Sequence, residues 1–315
     1  MSDSLIAFER ALARFPAAAA DLLHALPDRR GVIPAAEARR LGELLAADRH
    51  RLMLALLPVA AAFAHTPISA FPVGAVAAGR EAPDGSTALY LGANFEVEGE
   101  STGLSIHAEQ AAVTLAWVAG ETGLSALAAS SIPCGHCRQF LYELEDARSL
   151  PILRPAAQPP GHVAATLGDL LPDAFGPHDL GVTSGFLAGR GGAPQLAIAG
   201  PLDALAAAAL QAARLSYAPY SGAFAGCALQ FADGTVLTGR CIENAAHNPG
   251  LAAVQAALAV SNASRLRGEL AMIRRAVLVE HATTSSEAAL TERCVQALAP
   301  LAVFEHRRAA PATVA

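Results

Sequence analysis

The chain has 315 residues, 53% of them hydrophobic and 16% charged, enough to bury a sizeable core in one large domain or two modest ones. Its formal net charge is −6, and all 22 basic residues are arginines. This balance argues against a nucleic-acid polymer as the main partner, and the lack of lysine excludes lysine Schiff-base chemistry and a P-loop lysine. The opening MSDSLIAFERALARF is amphipathic and interrupted by Glu9, Arg10 and Arg14, without the apolar run of a secretory signal. The longest apolar stretch, residues 52–64, is too short for a bilayer span and contains Pro58. The expectation is a soluble cytoplasmic protein with no membrane partner. Five cysteines (Cys134, Cys137, Cys227, Cys241, Cys294) do not suggest a disulfide framework in so long a chain.

Helical spacing of apolar residues runs over 5–15, over 35–46 behind Pro34, and over 49–64. From Val73 the period changes. VGAVAAG and ALYLGANF read as strands joined by the turn EAPDGST, which makes a hairpin. A helix is predicted over 107–119, a strand over 125–131, and a second helix opening at Cys134-Gly135-His136-Cys137. Strands alternating with helices predict an α/β sheet. Pro and Gly cluster at 155–161 and 185–194, and the second cluster is the expected linker.

Beyond that linker the pattern returns. Pro67-Ile68-Ser69-Ala70-Phe71 with its following strand has a counterpart in Pro219-Tyr220-Ser221-Gly222-Ala223-Phe224. LGANFEV then aligns with TGRCIENA, pairing Glu96 with Glu243 and Asn94 with Cys241. Strand, turn and helix signals recur in one order, which indicates an internal duplication, although α/β modules in general share such punctuation. The halves are unequal. The second-half helix GLAAVQAAL offers Ala253 and Gln255 near the places of His107 and Glu109, and no CxxC follows residue 137. Chemistry that needs those groups belongs to the first half.

Cys134-Gly135-His136-Cys137 supports two chemistries. A redox pair needs one cysteine of lowered pKa at a helix N-terminus, and Cys134 sits where that is met. Against it, Pro133 stands where thioredoxin-like proteins usually carry tryptophan, and the only tryptophan is Trp117. In the metal reading Cys134 and Cys137, at i and i+3 of a helix start, face one point, and His107 is the best third, neutral ligand. His136 would point away from such a metal and reads as an exposed polar residue. Glu109, two residues after His107, suits a general acid/base beside a metal-activated water. It could also close the site as a fourth ligand, or simply favour the helix dipole.

His107-Ala108-Glu109 followed by Pro133-Cys134-Gly135-His136-Cys137 forms an H-x-E…P-C-x-x-C signature, by which the chain resembles the zinc nucleobase deaminases. It most closely resembles their long-chain, dimeric cytidine deaminases. The resemblance runs from about residue 50 to about 300 and includes PISAFPVGA, GANFE, HAEQAA, PCGHCRQF, LLPDAFGP and ENAAHNP. It implies a three-layer α/β/α sandwich, duplicated, with a small N-terminal helical domain. The expected division is 1–50 helical, 51–184 catalytic and 195–315 a degenerate, non-catalytic repeat.

The same resemblance implies one zinc ion per chain, held by His107, Cys134 and Cys137. It implies hydrolytic deamination of cytidine and 2′-deoxycytidine in pyrimidine salvage, with Glu109 shuttling protons. Asn94 and Glu96 would bond the ribose hydroxyls, since an amide and a carboxylate together offer donors and acceptors. Phe71 would pack on the nucleoside, and Ala108 and Pro133 would read the base through their backbone. Phe175 would come from the partner of a homodimer as a lid, although a core aromatic is an equal reading. Pro72 is expected to begin a strand, and Gln255 to stand roughly opposite Glu109. Arg138 would either donate to a thiolate or lie on the surface.

Rival functions stay in view. A deaminase acting on another nucleoside or a nucleotide shares the signature, though Glu96 would repel a phosphate. A thiol–disulfide oxidoreductase leaves His107 and Glu109 without a role. A scaffold with structural zinc calls for a fourth protein ligand.

Overall fold

The computed structural model describes residues 3–156, 162–188, 195–264, 272–281 and 283–312. The N-terminal segment folds as α1 (Asp3–Leu12), α2 (Ala17–Leu23), the short strand β1 (Val32–Ile33), α3 (Ala35–Leu45) and α4 (Arg49–Ala61). The helix expected over 5–15 stops at Leu12, and a second begins behind Pro16, which stands at the N-cap of α2. Proline lacks an amide proton and disfavours helical geometry in the residue before it. Asp48 caps α4 by accepting from the Arg51 amide at 2.9 Å.

The first sheet then forms from β2 (Gly74–Gly79), β3 (Leu89–Ala93), β4 (Leu124–Ala129), β5 (Pro151–Pro155) and β6 (His162–Thr166). Between them lie α5 (Ala108–Val118) and α6 (Gly135–Leu141), and α7 (Leu167–Leu170) follows β6. The expected hairpin is β2–β3, paired antiparallel from Gly74↔Ala93 to Ala78↔Leu89. The strand order is β1-β3-β2-β4-β5-β6, with β4 and β5 parallel across the α6 crossover. Every residue of β2 and β3 is buried because helices cover both faces. Pro72 lies just ahead of β2 rather than in it.

The second half has β7 (Leu196–Ala197), α8 (Ala204–Arg214), β8 (Ala225–Phe231), β9 (Val236–Arg240), α9 (Ala253–Asn262), β10 (Ile273–His281), α10 (Ala288–Leu298) and β11 (Val303–Pro311). Its sheet runs β7-β11-β10-β8-β9, with β10 and β11 parallel across α10. The order β9-β8-β10-β11 reproduces β3-β2-β4-β5, with the same directions. Even the closest approaches match. A Cβ on Gly92 would lie 2.2 Å from the Ala112 amide of α5, and one on Gly239 would lie 2.0 Å from the Ala257 amide of α9. Helix and sheet approach this closely because the strand residue at that point has no side chain. The fold is a duplicated α/β/α sandwich.

Three apolar clusters hold it together. One joins α1–α4 to the outer face of the first sheet, and another joins α8 to the outer face of the second. The largest is shared by both halves and holds α5 residues such as Ala112 and Leu115 together with α9 residues such as Val254 and Leu258. The N-terminal end of each of these central helices thus meets the other half. Part of the expected linker, 189–194, lies outside the described residues, as do 157–161 of the earlier Pro/Gly cluster.

Candidate active site

His107 is the N-cap of α5 and Cys134 the N-cap of α6, with Cys137 one turn into α6. Two helix starts therefore converge on one point. Cys134 Sγ and Cys137 Sγ are 3.7 Å apart, and His107 Nδ1 is 3.5 Å from the first and 3.2 Å from the second. A tetrahedral zinc with bonds of about 2.3 Å to sulfur and about 2.0 Å to nitrogen would set S···S near 3.8 Å and S···N near 3.5 Å. The donor set and its spacing fit that ion. Among the described residues this is the one group of three or more His, Cys, Asp or Glu side chains gathered closely enough to hold a metal.

Electrostatics follow from the helix starts. The Cys137 thiol donates to Cys134, and this bond, with the backbone amides of 137 and 136, pulls the Cys134 thiol down to about 4 despite its partial burial. Cys137, fully buried, is pushed up by its bond to Cys134 and by burial. Glu109 lies in the first turn of α5, 4% exposed, and burial raises its carboxyl against its hydrogen bonds, one of them with Cys137. A raised carboxyl beside a three-ligand cluster is what proton transfer near neutral pH requires.

The remaining expected residues are held by local hydrogen bonds or by burial. Asn94 Oδ1 accepts from the Val73 amide at 2.8 Å, and its Nδ2 donates to the Phe71 carbonyl at 3.0 Å. Glu96 Oε2 accepts from the Ile68 and Ser69 amides at 2.8 and 3.0 Å. Burial raises the Glu96 carboxyl, and the Ser69 and Ile68 bonds outweigh it and hold it low. Both side chains thus brace the 66–73 loop that carries Phe71, itself 60% exposed. Ala108 is buried at the first position of α5, and Pro133 is buried beside Cys134. Phe175 is 47% exposed, not a core aromatic, and its carbonyl accepts from Gln139 Nε2 at 2.8 Å.

Several residues have roles the sequence did not disclose. Arg138 neither reaches a thiolate nor lies free on the surface. Its Nε donates to the Pro133 carbonyl and its Nη1 to the Leu170 carbonyl, each at 2.8 Å, locking the segment before Cys134. Gln110 is fully buried. Its Oε1 accepts from the His107 amide at 3.0 Å and its Nε2 donates to the Pro249 carbonyl of the second half at 3.0 Å. His136 is exposed and outside the His/Cys/Cys cluster, with its Nε2 3.2 Å from Gln110 Nε2.

The capping pattern corrects the alignment of the halves. Ala252 is the N-cap of α9 and Gln255 its third residue, so they match His107 and Gln110. Val254, not Gln255, takes the place of Glu109. Glu287, the N-cap of α10, matches Cys134, and Leu290 matches Cys137. The second half has neither the metal ligands nor the carboxylate.

The cytidine and deoxycytidylate deaminase zinc-binding region matches this chain twice, over residues 47–151 and 167–292. A cytidine deaminase of Serratia proteamaculans is 44% identical over 87% of this chain and 89% of its own length. One from Yersinia pestis is 43% identical over 86% of this chain and 88% of its own. A solved cytidine deaminase from Burkholderia pseudomallei covers 40% of this chain and 98% of its own at 29% identity, with a TM-score of 0.34. The fold is that of a doubled zinc-binding deaminase unit, and the chain belongs to the cytidine deaminase family. No described helix is long and apolar enough to cross a membrane.

Proposed function

We infer that this chain is a zinc-dependent cytidine deaminase, hydrolysing cytidine to uridine and ammonia. The observation that carries the reading is the buried Glu109 carboxylate beside the His107–Cys134–Cys137 cluster. His107, Cys134 and Cys137 would hold a zinc ion, which would supply Lewis acidity and bring the pKa of water towards neutrality. Glu109 takes a proton from the water that attacks C4 and gives it to N3, then takes the proton of the new C4 hydroxyl and gives it to the amino group, which leaves as ammonia as the C4 carbonyl forms. This is the known chemistry of zinc nucleobase deaminases. Burial of Glu109 supports the role, because a carboxyl raised towards the working pH both accepts and returns a proton.

The other assignments extend that reading. Asn94 and Glu96 meet the ribose hydroxyls with the hydrogen-bonding capacity left over from the loop, and the family resemblance extends the substrate range to 2′-deoxycytidine. The Ala108 amide and the Pro133 carbonyl face the polar edge of the base. Phe71 covers the nucleoside, and Phe175 closes the site of a second chain in a homodimer. The exposure of Phe71, Ile132 and Phe175 in a single chain supports that assembly. Residues 1–50 form a helical domain, 51–184 the catalytic domain and 195–315 the non-catalytic repeat. The working compartment is the cytoplasm, in pyrimidine salvage.

The test is the ultraviolet absorbance of cytidine incubated with zinc-loaded protein. Conversion to uridine that Glu109→Gln abolishes is the expected result. Zinc-loaded protein that leaves cytidine and 2′-deoxycytidine untouched overturns the reading. Sedimentation should give twice the chain mass of 32.1 kDa.

A further inference from the structure

A cavity of about 320 Å³ opens in the second half, where the counterparts of the metal ligands stand: Ala252, Glu287 and Leu290 all line it. Half of the first site's architecture survives there. Glu243 Oε2 accepts from the Tyr220 and Ser221 amides at 2.8 and 3.2 Å, as Glu96 does from Ile68 and Ser69. Ser221 Oγ accepts from the Ala223 amide at 2.9 Å, as Ser69 Oγ does from Phe71 at 3.1 Å. Loop and carboxylate are therefore built alike. The differences open the space: Ala223 replaces the Phe71 ring, and no ion is called for.

The lining chemistry selects an occupant. Glu243, Glu280 and Glu287 face the cavity, and among the described residues no arginine lines it. Glu243 and Glu280 repel a phosphate or carboxylate ligand, while burial keeps Glu287 protonated, and hydroxyl and amino groups are favoured. Glu280 is spent on Ser286, the Glu287 amide and His306, at 2.6, 2.8 and 2.9 Å. Glu287 uses one oxygen on the Ala253 amide at 2.8 Å, and its other oxygen takes no hydrogen bond from the described residues. The volume lies at the lower end of small-molecule sites, which suits a molecule of nucleoside size.

We propose that this cavity is a second nucleoside site, which binds an unphosphorylated nucleoside without turning it over. The proposal rests on the reading of the first half as a nucleoside site, since the shared loop and carboxylate are what name the ligand. Val254 in place of Glu109, and Ala252 and Leu290 in place of His107 and Cys137, leave no group to activate water. The walls also include Gln110 and His136, so a ligand here touches the neighbour of Glu109 and the residue between the zinc-binding cysteines.

The experiment counts uridine, which has no amino group left to lose, bound per zinc-loaded chain by equilibrium dialysis. Wild type should bind two equivalents. Ala223→Trp, which fills the cavity, and Glu243→Ala, which removes an acceptor, should each weaken one of them by at least about tenfold. Cytidine turnover at saturating substrate should stay unchanged in both, and uridine monophosphate should fail to compete for that equivalent. One equivalent in wild type, or two that neither variant disturbs, overturns the proposal. Loss of the catalytic reading looks different: wild type fails to deaminate cytidine, while a uridine equivalent sensitive to Ala223→Trp remains.

Discussion

Gln110 and Gln255 make the same pair of hydrogen bonds, each reaching into the opposite half of the chain. Each accepts from the N-cap amide of its own helix, His107 at 3.0 Å and Ala252 at 2.9 Å. Each donates to a carbonyl three residues ahead of the other helix's cap: Gln110 to Pro249 at 3.0 Å and Gln255 to Leu104 at 3.1 Å. One member of this exchange holds a proposed metal ligand, and the other holds an alanine. Gln110→Ala should therefore weaken zinc binding by about ten- to a hundredfold, the usual cost of losing a group that orients a ligand. Gln255→Ala should lower stability and leave zinc affinity unchanged. Chelator competition with each variant checks this, and equal zinc loss in both would remove the positioning role.

Glu109→Gln should keep its zinc and its fold and lose turnover by at least about a hundredfold, the lower range for a general acid/base. Metal content and cytidine turnover on the same sample separate this from misfolding. Near-normal turnover would end the proton-shuttle assignment.

Cys134→Ala should lose zinc. Cys227, Cys241 and Cys294 are buried, outside the cluster and without a ligand partner. Alanine at each should cost roughly 1 kcal/mol in packing and leave the metal in place. Loss of zinc from any of those three would show that the ligand set is misassigned.

Burial, against the Ala253 bond and with Glu280 and Glu243 nearby, pushes the Glu287 carboxyl up to about 8. The folded chain then holds a proton that the unfolded chain, with an ordinary glutamic acid near 4.5, has released. This contribution to stability is complete below the unfolded value and is lost as pH rises through about 8. Wild type should melt progressively lower from pH 5 to pH 9 relative to Glu287→Gln. Parallel melting curves would contradict it.

Glu143, 1% exposed, accepts from the Tyr217 hydroxyl at 2.7 Å, the Tyr220 hydroxyl, and the Ala245 amide at 2.9 Å. All three donors belong to the second half. Glu143→Ala strands them together and should cost about 3 kcal/mol in urea unfolding, against about 1 kcal/mol for Tyr217→Phe. Comparable losses would mean that the carboxylate is not the hub.

Much of the catalytic half was legible because its signals are local. The period change at Val73, the Asp-Gly turns and the spacing of Cys134 and Cys137 each depend on neighbours within a few residues. What escaped depends on distance. Nothing near Arg138 announces the Leu170 carbonyl it reaches, and nothing near Glu143 announces two tyrosines more than seventy residues on. The placement of Gln255 failed differently. Helix content matched, but the register needed the cap, and the glutamine at the third position after His107 and after Ala252 was the available signal.

The exchange between Gln110 and Gln255 has a consequence for how the catalytic unit responds to dilution. Its two contributors sit on one polypeptide, so their association is unimolecular and its effective concentration is set by chain connectivity. A glutamine donated by a separate subunit would be lost as protein concentration fell through the dissociation constant. Here the support of the His107 cap is independent of concentration. A rare transcript making few chains still yields units in which that support is complete.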